Sequence, residues 1–294
     1  MSKERTGWAA RIISDVLALA LTLCLAALPF SLALSRLLGD RALHEQVVCD
    51  TQVIDAQQTR ITRKVEEIAA QVPFTASVAL DGIAREELEN YNREIVGWWM
   101  GLLDAEPSTE LPVWETEALE QAVREDEAFQ AAIPATQRKA AARDQVGYAV
   151  SSAVTRTVVP LRVSLAEPFL PDILAKVDLP RLAGLADKLP AGLAIAGLVA
   201  ALLIALTMTR DWRGALLRLG AAAVAGALTA GAAMLMVVWL QIPAQLGVGS
   251  EILGLQAALL LSRLARIVGI PAVATAAAGV LLMALSRLGS GRRA

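Results

Sequence analysis

The chain is poor in the side chains from which most catalytic and metal sites are built. It has one histidine, His44, and two cysteines, Cys24 and Cys49, in 294 residues. A lone histidine cannot assemble a histidine-based zinc site, and a Ser-His-Asp triad would have to use His44. No G-x-S-x-G elbow, H-E-x-x-H helix, Walker A loop, G-x-G-x-x-G turn or EF-hand loop occurs. On one continuous helix Cys24 and Cys49 would stand roughly 37 Å apart, beyond disulfide reach. The two therefore read as unreactive small apolar residues, an intermolecular Cys49–Cys49 bond being the alternative. Carboxylate runs such as Glu86-Glu87 and Glu125-Asp126-Glu127 read as solvated acidic faces. His44 is expected at a surface or a membrane interface. No catalytic, cofactor-binding or metal-ligating set is expected, and the chain reads as non-enzymatic.

Ionisable groups are scarce in a second sense. Apolar stretches at 12–35, 190–209, 215–241 and 268–288 carry no Asp, Glu, Lys, Arg or His near their midpoints. Asp15 and Arg218 sit only in first turns. Ion-coupled transport, proton relay and intramembrane metalloprotease chemistry need such groups at depth, so their absence counts against those functions for a single subunit.

What the chain has is length and apolarity. Hydrophobic residues make up 55% of it, above the usual share for a soluble chain. A helix needs roughly 20 apolar residues to cross a ~30 Å hydrocarbon core, and the four stretches supply them. The expected fold is an all-α integral membrane protein with four transmembrane helices. A large, mostly helical extracytoplasmic domain is inserted between the first and second spans. The boundaries read as 1–38 for a tail and first span, 39–189 for the outer domain, and 190–294 for a three-helix membrane bundle.

Charge divides along the same lines. Residues 39–189 hold 25 acidic and 15 basic side chains, and the rest of the chain 4 acidic and 12 basic. The acidic domain would repel phosphates, so nucleic acid is an unfavourable partner. Basic residues cluster at Lys3, Arg5 and Arg11, at Arg210, Arg213 and Arg218, and at Arg287, Arg292 and Arg293. With four crossings all three clusters share one face, which the positive-inside rule makes cytoplasmic. This predicts a plasma (inner) membrane protein with both termini inside and 39–189 outside. The first stretch is too long for a signal-peptide core and lacks a clear cleavage site, so it reads as a retained anchor. Within 251–267, Glu251, Gln256, Ser262, Arg263 and Arg266 share one arc. That segment is expected as an amphipathic helix in the outer interface, or as an extension of the last span kinked at Pro271.

In the outer domain Val47, Ile54, Ile61 and Ile68 recur at sevens, while Gln57 and Lys64 interrupt the second seam of a coiled coil. The readings are a stalk that meets a partner subunit, or one amphipathic helix packed on its own domain up to Pro73. A second helix is expected over 81–103. Adjacent Trp98 and Trp99 point about 100° apart on a helix, so a single core face hardly takes both. Trp98, Trp99 and Met100 are the candidate contacts to a partner or the membrane interface, with core packing the alternative. A third helix is expected over 115–131 with an exposed acidic face, then a helix over 135–150 and a short strand or helix continuation over 154–159. Surface-skimming pieces are expected at 173–177 and 182–189.

The third and fourth spans are dense in Gly and Ala, which lets helices approach closely, against each other or in a homo-oligomer. One span, a large outer domain and three further spans is a layout similar to that of certain ABC-transporter membrane subunits. Those carry a coupling helix between their second and third spans, and the link here, 209–214, is too short for one. The likeness is one of layout only. The expected function is a non-enzymatic cell-envelope protein whose outer domain binds protein or peptide partners within a membrane complex. An oligomeric channel or transporter component is the alternative.

Overall fold

The computed structural model describes residues 2–70, 75–81, 84–103, 112, 121–122, 125–132, 178–209, 211–239 and 251–288. The ordered elements there are helical: α1 Ser2–Gly39, α2 Arg41–Val48, α3 Thr51–Ala69, α4 Ala76–Asp81, α5 Arg85–Leu103, α6 Glu127–Ala132, α7 Leu179–Thr207, α8 Trp212–Trp239 and α9 Glu251–Leu288. Within α1, α7, α8 and α9 lie four stretches long and apolar enough to cross a membrane: Ala10–Gly39, Leu179–Thr207, Trp212–Trp239 and Gly254–Leu288. A lipid bilayer is the environment they imply, and the chain is read as a multi-pass membrane protein.

One expectation is corrected here. The piece at 182–189 is not separate, because α7 runs unbroken from Leu179 through Pro190. Of the two readings of 251–267 the structure matches the second, an extension of the last span, with one helix continuous through Pro271. A membrane helix tolerates proline when its surroundings satisfy the freed carbonyl, so these prolines do not mark boundaries.

By contacts the chain forms two compact units, one of Met1–Asp40, Arg181–Ile242 and Leu261–Ala294, the other of Arg41–Pro180 and Pro243–Leu260. In the first unit the contacts fix helix directions. Asp15 meets Arg218, and Leu25 and Thr22 meet Gly226, so α1 and α8 run parallel. Cys24 lies against Gly197 and Ser35 against Asp187, so α7 runs opposite to α1. Gly220 faces Met283 while Val224 faces Gly279, so α9 runs opposite to α8. The core of this unit is Leu21, Ala200, Ile204, Met208, Ala215 and Ala222.

Glycine sets the closest approach. An added Cβ on Gly220 would lie 2.6 Å from the Gly279 carbonyl oxygen, and one on Gly279 would lie 2.7 Å from that of Gly220. No real side chain fits at such distances. Lipid offers no hydrophobic drive between helices, so this intimate packing is what associates them.

The second unit has its own core. Helices α2 and α3 both pack against α5. The long helix expected from 39 onward is broken at Cys49 and Asp50, where Asp50 takes extended geometry and caps α3 by accepting from the Gln52 N–H at 3.1 Å. An aspartate satisfying a free helix donor makes a natural start signal. The seven-residue stripe survives the break, with Val47, Ile54 and Ile61 buried. Helix α5 opens with Glu86 and Glu87, which suit a helix N-terminus. It buries Leu88, Tyr91, Asn92, Ile95, Val96, Trp98, Met100 and Leu103.

Two more expectations change. His44 is buried, not at a surface, because α2 turns its Leu43, His44 and Val47 stripe inward. The helix expected over 115–131 is interrupted at Asp126, which lies outside helix, is buried, and accepts from the Thr75 N–H at 2.9 Å. The expected elements at 135–150, 154–159 and 173–177 lie outside the described residues.

Candidate functional site

Arrangements that could carry function occur in both units. The candidates Trp98, Trp99 and Met100 fall on the last turns of α5. Trp98 and Met100 are buried and Trp99 is half-buried. Residues two apart on a helix point about 200° apart, so α5 is covered on more than one side here. That is how neighbouring bulky side chains are accommodated.

Beside them lies a polar pair that the sequence reading did not find. Gln57 and Asn92 are fully buried and exchange hydrogen bonds, Gln57 Nε2 to Asn92 Oδ1 at 3.2 Å and Asn92 Nδ2 to Gln57 Oε1 at 2.9 Å. Asn92 Nδ2 also donates to the Val48 carbonyl at 3.0 Å. Both side chains are cut off from water, so each amide needs the other. The available signal was a polar residue on the apolar stripe of each helix. The pair ties α2, α3 and α5 into one register.

The outward face of α3 forms an open cleft of about 430 Å³ lined by Asp55, Gln58, Thr59, Thr62, Arg63 and Glu66. Its groups are two carboxylates, a guanidinium, two hydroxyls and an amide. Arg85 bridges Asp55 at 3.0 Å at one end. Such a row can hydrogen-bond a polar ligand. Among the described residues no group of three or more His, Cys, Asp or Glu is close enough to hold a metal ion.

Cys24 and Cys49 are both free. The Cys49 thiol donates weakly to the Glu89 carbonyl at 3.6 Å. Burial pushes it above the ordinary thiol range, Arg93 opposes that, and Glu89 and Glu45 add to it. A thiol so held is a poor nucleophile at neutral pH.

In the first unit, the helix directions bring Arg11, Arg213, Arg218 and Arg287 to one end of the bundle. Arg218 Nε donates to Asp15 Oδ1 at 2.7 Å, and its Nη1 approaches Met208 Sδ at 3.3 Å. The pair joins α1 and α8, and Arg218 also reaches Met208 just after α7 ends. Its sequence signal was two opposite charges, each alone near the start of an apolar stretch.

Neither a protein-family model, nor a curated protein, nor a solved structure matches the chain.

Proposed function

We propose that this protein is a non-enzymatic subunit of a cell-envelope complex, held in the plasma (inner) membrane by four spans. Residues 39–189 lie outside and bind a protein or peptide partner. One observation carries the reading. Every large exposed hydrophobic side chain among the described residues belongs to the first unit, from Trp8 and Val16 to Trp239 and Val280. A bundle solvated by lipid and a separately cored polar unit suit an anchored binding domain.

The positive-inside rule assigns the arginine-rich bundle end to the cytosol. The chain leaves for the second unit from the opposite helix ends, after Gly39, before Leu179 and after Trp239, which supports an outward location. The mixed charges and hydroxyls of the α3 cleft favour a polar peptide surface. The non-enzymatic part of the reading follows from the single histidine and the motifs missing from the sequence.

Two measurements test it. Protease added to sealed cells is expected to remove 39–189 and spare both chain ends; cleavage of the ends alone reverses the topology. A photo-crosslinker at Thr62 is expected to capture a defined envelope protein, and Asp55→Asn with Arg63→Gln to weaken that capture. Equal capture from Thr62 and from Gln52, outside the cleft, removes the binding role assigned to α3.

A further inference from the structure

The arginine-rich end of the bundle carries the acids Asp15 and Asp211. Asp15 holds Arg218 at 2.7 Å. Asp211 caps α8, accepting from the Gly214 N–H at 3.0 Å. The arginines at the rim face outward: Arg11, Arg213 and Arg287 are all exposed. Arg213 lies over the Trp212 ring, 5.7 Å from its centre.

These cations stand among apolar side chains that are equally exposed. Trp8 is 69% exposed, Trp212 52%, and Ile12 and Leu217, within about a turn and a half further along the same helices, are also exposed. An occupant of this rim must therefore meet positive charge and hydrocarbon at once. A free phosphate satisfies only the first, and an acidic soluble peptide leaves the tryptophans and leucine in water. An anionic amphiphile satisfies both.

We propose that this rim binds anionic phospholipid head groups selectively, with Arg11 and Arg213 meeting the phosphate and the exposed apolar side chains around them meeting the rest of the lipid. The selectivity is independent of which partner the outer domain takes, since it needs only the bundle in a bilayer. A basic side chain near an anionic surface strengthens attachment by about fivefold. Several around one rim concentrate such lipid beside the bundle, and the effect weakens as salt screens it.

The test uses the full chain in nanodiscs of mixed phosphatidylglycerol and phosphatidylcholine, with the retained lipid measured after mild delipidation. Wild type is expected to retain phosphatidylglycerol preferentially. Arg11→Gln and Arg213→Gln are each expected to lower the preference about fivefold, while Arg213→Lys keeps most of it. Arg181→Gln, at the other end of the bundle, is expected to change nothing. Helicity and melting confirm that each variant folds. High salt suppresses the preference in wild type, which tests the electrostatics without any substitution. Equal retention of both lipids, an unchanged preference in the Arg11→Gln, Arg213→Gln double variant, or full competition by inorganic phosphate would each overturn the proposal.

Discussion

Asp15 on α1 and Arg218 on α8 form a 2.7 Å ion pair across 203 positions of sequence. The Asp15 side chain is 64% exposed and that of Arg218 is 23%. Such a half-open pair contributes about 1 kcal/mol at most in water. Asp15→Asn and Arg218→Gln are each expected to weaken the bundle by about that much. A double-mutant cycle in detergent unfolding should show that the losses do not add. Strict additivity means that the contact does not persist.

The mutual contact of Gly220 and Gly279 predicts a larger effect. Gly220→Ala forces α8 and α9 apart, with a loss of about 1–3 kcal/mol as for other overpacked sites. Gly231→Ala, where an added Cβ meets nothing within 4 Å, is the matched control. Equal unfolding of the two variants contradicts the close approach.

The Gln57–Asn92 pair predicts an unequal response. Gln57→Leu strands one buried amide, and Asn92→Leu strands both Gln57 and the Val48 carbonyl. Leaving a buried group unpaired costs about 1–3 kcal/mol, so Asn92→Leu is expected to be the worse of the two. The double variant is expected to be milder than the sum. Chemical denaturation of the protein in nanodiscs checks the order.

Alkaline pH probes the same core. Burial pushes the Tyr91 phenol up to about 12, and the charge of Glu94 adds to the shift. An unfolded tyrosine releases its proton near 10. Above that pH the unfolded state binds fewer protons than the folded one, so stability falls as pH rises from about 10 towards about 12. Below about 10 neither state releases the proton and this group adds no pH dependence. Tyr91→Phe is expected to flatten the alkaline loss. A melt series identical in the two proteins removes Tyr91 as its cause.

The lipid-facing helices were legible residue by residue. A bilayer acts on each side chain directly, and its thickness sets a length that can be counted along the chain. The opposite charges of Asp15 and Arg218 were visible too, but not that they meet. In the second unit, periodicity identified the buried stripe at Val47, Ile54 and Ile61 yet not how many sides of α5 are covered. That explains Trp98, whose placement depends on packing over two sides. It also explains Gln57, which breaks a coiled-coil seam but satisfies Asn92. His44 turned inward with the α2 stripe that packs on α5, and Asp126 left the acidic face to accept from the Thr75 backbone; both depend on segments distant in sequence.

By itself the amino-acid order determined four spans, their approximate limits and the division between acidic and basic segments. These properties follow from local hydropathy and charge against an environment that is the same for every residue at a given depth. Tertiary structure alone decided the helix directions, the Gly220–Gly279 contact, the break at Asp50 and the amide pair. Those depend on which surfaces meet, and short-range packing and hydrogen bonding choose among pairings that local sequence leaves equally open.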